Sequence, residues 1–121
     1  MKNTIFCDID GTIFQYRKFE TFKTTPAIPT PGSVEKMKQW DLDGHIIILT
    51  TARPEWMRDH TVKELKKNHV PWHRLIMGIG MGDRILINDL NPRYPGDRAF
   101  AYNVERDAGL ITIEESEETS D

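Results

Sequence analysis

Thr4-Ile5-Phe6-Cys7-Asp8-Ile9-Asp10-Gly11-Thr12 is the stretch that decides the fold. Thr4 to Ile9 has the apolar, β-branched character of a buried strand, and it ends where the acids and Gly11 begin. Both carboxylates are therefore expected at the strand's carboxyl end. With one residue between them, Asp8 and Asp10 share a face if both lie in the strand, and two anions so close need a counter-charge to stay ionised. Mg²⁺ meets that need, because it takes oxygen ligands, keeps several waters and shares a substrate phosphate. An ionised aspartate there can attack phosphorus in line, while the second protonates the leaving oxygen and later activates water. Gly11 suits the turn out of the strand, and Thr12 can hold that turn by a local hydrogen bond.

Outward from this stretch, residues 12–31 mix Phe14, Tyr16, Phe19 and Phe22 with Arg17, Lys18 and Lys23, then close on Pro26, Pro29 and Pro31. This is read as a short hairpin or flap followed by an extended linker. Pro31-Gly32-Ser33 opens a helix whose apolar positions are Val34, Met37 and Trp40, with Asp43-Gly44 as its stop. His45 to Thr50 is a continuous β-branched run, the pattern of a strand covered on both faces of a parallel sheet. A second helix runs from Pro54 towards the Asn68-His69-Val70-Pro71 break, and Leu75-Ile76-Met77 is a third strand. After the glycine-rich connection at Gly78, Gly80 and Gly82, a fourth strand is expected at Arg84–Asn88 and a fifth at Ala99–Tyr102. Strand, helix, strand, helix, strand predicts a three-layer, doubly wound α/β domain with a mainly parallel sheet. Ligands of such sheets bind at the strands' carboxyl ends. Three polar clusters fall there: Asp8 to Thr12, Thr50-Thr51-Ala52-Arg53, and Asn88-Asp89.

Composition narrows the classes. A chain of 121 residues holds one domain and leaves no room for a large cap. That domain is read as 1–113, with an acidic, disordered tail at 114–121. Removing Glu114, Glu115, Glu117, Glu118 and Asp121 turns the formal charge from −3 to +2. The nearly neutral body offers no general polyanion footprint, although it leaves room for a local basic groove. No apolar run is long enough to span a bilayer and no leader pattern precedes Thr4, so a cytoplasmic protein without a membrane partner is expected. The lone Cys7 reads as a small core residue, and the four histidines have no metal-ligand spacing. Trp40, Trp56 and Trp72 read as packing or helix-end residues.

The hydroxyls of Thr50 or Thr51, with main-chain N–H groups from Ala52 onward, suit a phosphate oxygen. Arg53, Arg74 and Arg84 are the cations that could cover a transferring phosphoryl group. Of these, Arg53 reads as a salt-bridged surface residue, and Arg84 lies nearest in sequence to Asn88.

From Ile5 to about Asn103 the chain resembles the haloacid dehalogenase (HAD) superfamily of phosphohydrolases, the strongest element being the hydrophobic strand with its Asp8-x-Asp10-Gly11-Thr12 signature. The resemblance implies Asp8 as nucleophile and Asp10 as acid/base. It implies Mg²⁺ held by the Asp8 carboxylate, the Asp10 main-chain carbonyl and an acid of the fourth motif. Ile85-Leu86-Ile87-Asn88-Asp89 matches that motif with Asn88 in place of its first acid, which leaves Asp89 as the charged ligand and Asn88 as a neutral one. Thr51 is implied as the phosphate-binding hydroxyl, with Thr50 as the alternative. The third-motif lysine falls near Ile79, so Arg84 is taken as its substitute, although a planar guanidinium does not simply replace an ammonium.

Small capless members of the family include phosphatases of capsule or sugar biosynthesis and the phosphatase modules of polynucleotide kinases. The 12–31 insert stands where family members grow a flap, so the resemblance implies Tyr16, Arg17 and Lys18 as contacts to the leaving group. The expectation is a Mg²⁺-dependent phosphomonoesterase acting on a sugar phosphate or a polymer-borne phosphate ester, with a homo-oligomer as one way to cover the open site. The alternatives are a polynucleotide 3′-phosphatase and a HAD-fold binding or regulatory protein with weakened catalysis, the latter motivated by Ile79 and Asn88.

Overall fold

A computed structural model describes residues 2–114. Three parallel strands, β1 (Thr4–Asp8), β2 (Ile46–Thr50) and β3 (Arg74–Ile76), form one sheet in that order. Helix α1 (Ser33–Leu42) joins the first two strands, and α2 (Arg58–Lys67), entered through a 3₁₀ turn at Glu55–Met57, joins the second to the third. The register sets Asp8 opposite Thr50 and Thr50 opposite Ile76, so the carboxyl ends are level. In α1 the expected apolar positions turn inward: Met37 and Trp40 are buried and Val34 is partly so. Helix α2 stops at Asn68-His69, where His69 adopts a left-handed φ of 59° just ahead of Pro71.

Burial alternates along the strands. Cys7, Ile47, Leu49 and Leu75 enter one core with Met37, Trp40 and Leu65 of the helices and Ile9, Ile13 and Phe14 of the turn after β1. Each fully buried aliphatic or aromatic side chain contributes about 1.5–3 kcal/mol, so this single core dominates stability. Right-handed crossovers between strands displaced in one direction put both helices on the same face. Phe6, Ile46 and Ile76, on the other face, remain 52%, 49% and 44% exposed.

The architecture is the expected α/β class with a parallel sheet, and no large cap is evident among the described residues. Two expectations are corrected. The Ile46–Leu49 run is covered on one face rather than two. Arg84–Asn88 and Ala99–Tyr102 form no strand, and no helix or strand occurs between Gly78 and Val104. Strand propensity is realised only through a ladder and a covered face. Here Ile85, Ile87, Leu90 and Phe100 stand in solvent, and β1 pairs with β2 alone among the described residues.

Residues 12–31 form an irregular loop clipped at its base, where Gln15 N–H donates to the Ile28 carbonyl at 2.8 Å and Thr30 N–H to that of Ile13 at 2.8 Å. A 3₁₀ turn at Phe19–Thr21 lies near its tip. The chain returns to this base at Leu110, whose N–H donates to Ser33 Oγ at 3.0 Å. The acidic tail beyond Glu114 lies outside the described residues. Among those described, no helix is long and apolar enough to cross a membrane.

Candidate active site

Strand β1 ends at Asp8, and the next residues fold into a tight turn in which the N–H groups of Thr12, Ile13 and Phe14 all point at the Ile9 carbonyl, at 3.2, 2.9 and 3.1 Å. Gly11 permits this turn with a φ of 83°. Ile9 is fully buried and anchors the turn, so the two acids leave it differently. Asp8 stands at the solvent-exposed strand end in the row of Thr50. Its carboxylate accepts from the Ile9 N–H and, at 3.4 Å, from Thr12 Oγ1. Partial loss of solvation pushes the Asp8 carboxyl up from its ordinary value and the neighbouring Asp10 adds to this, while the Ile9 N–H, Arg84 and Thr12 pull it down.

Asp10 is gripped rather than open. Arg53 Nε donates to its Oδ2 at 2.9 Å and Nη2 to its Oδ1 at 2.7 Å, a bidentate fork. The Arg53 side chain is 1% exposed, and its remaining terminal nitrogen donates to Thr61 Oγ1 at 3.0 Å and Glu64 Oε1 at 2.8 Å. Burial works against the charge on Arg53, but Asp10 and Glu64 outweigh it and hold the guanidinium above its ordinary value. This replaces the expected surface salt bridge with a buried network. Its signal was present in sequence as the arginine closing Thr51-Ala52-Arg53, but Glu64, one of many charges on α2, carried none.

Thr50 is half-buried beside Asp8 in the ladder. Thr51 is 1% exposed, and its hydroxyl oxygen accepts from the Arg53 N–H at 3.1 Å, so it braces the turn. Ala52 lies half-buried between them and Arg53. The end of β3 closes over this turn through Gly78 N–H to the Arg53 carbonyl and Ile79 N–H to the Thr51 carbonyl. Arg84 hydrogen-bonds the Gly82 carbonyl, and its charge acts on Asp8.

Asn88 and Asp89 are exposed, and Asp89 pairs with Arg98 at 3.2 Å. Among the described residues no three of His, Cys, Asp and Glu gather into a metal-sized cluster. The Asp8–Asp10 repulsion does suit a cation, and Mg²⁺ is often held by one or two carboxylates with waters and substrate phosphate completing its shell.

Arg17, expected to face a leaving group, is instead buried: it forms a bidentate pair with Glu64 at 2.8 and 3.0 Å and donates to the Thr25 carbonyl at 2.9 Å. Lys18 is exposed at the start of the 3₁₀ turn. Tyr16 is half-exposed beneath Arg106, whose guanidinium carbon lies 3.9 Å from its ring centroid, and its N–H donates to Asp107 Oδ1 at 2.7 Å. Asp107 N–H in turn donates to the Gly11 carbonyl at 2.8 Å. Arg106 and Asp107 therefore border the signature turn, a placement that no local pattern announces. Cys7 is buried, which pushes its thiol up to about 12 and leaves it inert.

Comparison with known proteins agrees with this fold. A crystal structure of a structural-genomics target from Vibrio cholerae superposes with a TM-score of 0.52 at 20% identity, over 77% of this chain and 85% of that one. No curated protein matches the sequence. The family described as "PITM 1-3, LNS2 domain" matches residues 5–89, a span that includes Asp8, Asp10, Arg53 and Glu64. The HAD resemblance thus holds at the level of the superfamily, and it supports a phosphatase function in general terms. With well over half of its length inside that match, the chain belongs to the LNS2 domain family and has a HAD-like fold.

Proposed function

We propose that the protein hydrolyses phosphate monoesters through a phosphorylated Asp8. The observation that carries this reading is the placement of Asp8 at an open strand end, beside Thr50 and within the field of Arg84, with Asp10 fixed next to it. An Asp8 carboxylate oxygen attacks phosphorus and forms an O–P bond as the ester P–O bond breaks. Asp10, having first taken a proton from solvent in exchange for one of its bonds from Arg53, gives that proton to the departing oxygen. It then takes one from the water that attacks the phosphorylated Asp8, releasing phosphate and restoring both acids. In this reading Thr50 meets a phosphate oxygen, supported by its ladder pairing with Asp8 and by the burial of Thr51, and Arg84, whose charge acts on Asp8, shares the phosphate charge. Mg²⁺, held by the Asp8 carboxylate and the Asp10 main-chain carbonyl, supplies charge neutralisation at the phosphoryl group. An uncapped site admits sugar phosphates and polymer-borne esters alike.

The test is phosphate release from aryl and alkyl monoesters by the full chain. Turnover with Mg²⁺ should disappear on chelation and in Asp8→Asn, with circular dichroism unchanged. Turnover that survives Asp8→Asn refutes the assignment. A second reading, a HAD-fold binding or regulatory protein, is favoured by one feature: both Asp10 oxygens already accept from a buried arginine. Phosphate or phosphate-ester binding without Asp8-dependent turnover would select it.

A further inference from the structure

The grip on Asp10 does not end at Arg53. Glu64 on α2 accepts from Arg53 at 2.8 Å and, through both of its oxygens, from Arg17 of the 12–31 loop at 2.8 and 3.0 Å. Arg17 also reaches across the loop to the Thr25 carbonyl. Buried Phe22, on the returning limb, stacks with both guanidiniums, 4.7 Å from that of Arg17 and 4.4 Å from that of Arg53. The side chains of Arg17, Glu64 and Arg53 are 7%, 11% and 1% exposed, so little water is at hand to replace any lost partner. An unbroken line of charge-assisted hydrogen bonds therefore runs from Asp10, through β2's exit and α2, to both limbs of the loop.

We propose that Glu64 is a positioning residue: it keeps the Arg53 fork on Asp10 and ties the orientation of that acid to the seating of residues 15–30. A substrate that settles the loop thereby also settles Asp10, and by linkage a change at Asp10 loosens the loop. The consequence for turnover rests on the phosphatase reading, whereas the linkage itself does not. Asp8 lies outside this line, since its side-chain partners are the Ile9 N–H and Thr12.

Hydrogen exchange on the full chain separates the two. In Asp10→Asn the amides of residues 15–30 should exchange about fivefold faster or more, while those of Ile47 and Leu49 in β2 keep their rates. In Asp8→Asn the loop should exchange as in the parent. Glu64→Gln should loosen the loop as Asp10→Asn does. It should also lower kcat on an alkyl phosphate more than on an aryl phosphate, with KM changed less than about twofold, because only the poorer leaving group depends fully on a well-aimed acid. Loop rates unchanged in Asp10→Asn, or raised equally in Asp8→Asn, overturn the linkage. So does a Glu64→Gln loss that is equal on both esters. A parent protein that releases no phosphate while its loop still answers to Asp10 supports the linkage and refutes the hydrolase.

Discussion

Arg53 shows how much a single residue's surroundings decide. Read along the chain it is an arginine after a threonine and an alanine. In the fold it carries Asp10 on one side and Glu64 on the other, and neither partner is near it in sequence terms that a spacing rule detects. The acids themselves were legible, because Asp8-x-Asp10-Gly11-Thr12 after an apolar strand is a local pattern. The neighbour of Asp8 across the sheet was not, since only the ladder register shows that it is Thr50. Gly109 is another residue whose role is purely tertiary. A Cβ there would lie 2.2 Å from the Pro31 carbonyl oxygen, at a φ of 93° that side chains rarely adopt. Gly109→Ala should therefore cost about 2 kcal/mol or more, read as a fall in the urea midpoint. A midpoint within error of the parent would show that the 109–113 return does not lean on the base of the loop.

At the scale of elements, α1 and α2 were readable from apolar spacing and from their stop signals, because helices satisfy their own backbone. The fourth and fifth strands were not, because a strand needs a partner edge and a cover that sequence pattern alone does not supply. Helix α2 has a role beyond packing, since Glu64 balances Arg17 and Arg53 and lies 3.2 Å from His60 Nε2. Burial pushes its carboxyl up, but the hydrogen bonds and charges of Arg17 and Arg53 prevail and hold it below its ordinary value of 4.5. A depressed acid gives its full stabilisation above that value, and the stabilisation is lost as the pH falls through the lower, folded-state value. Stability should thus decline on the acid side of pH 4.5. In Glu64→Gln that part of the decline should be absent, and the variant should be less stable by about 3 kcal/mol at neutral pH, two buried guanidiniums having lost their anion. Parallel stability-against-pH curves for the two proteins would contradict this assignment.

For the whole molecule, the sheet carries its load on one side. Leu49 is fully buried among Met37, Trp40 and Leu65, whereas Phe6, one row from Asp8 in the same ladder, is 52% exposed on the uncovered face. This asymmetry explains why the candidate site is open: the strand ends that present Asp8 and Thr50 belong to the uncovered face, and no large cap is evident among the described residues. It also sorts the cost of truncation. Leu49→Ala removes buried volume and should cost about 2–5 kcal/mol. Phe6→Ala removes surface that remains largely hydrated and should cost about 1 kcal/mol or less. The contrast, read from denaturant midpoints at equal slope, tests the one-sided core directly. If residues 84–88 or another segment packed over Phe6 in solution, Phe6→Ala would cost as much as Leu49→Ala, and the exposed row would prove to be a second core.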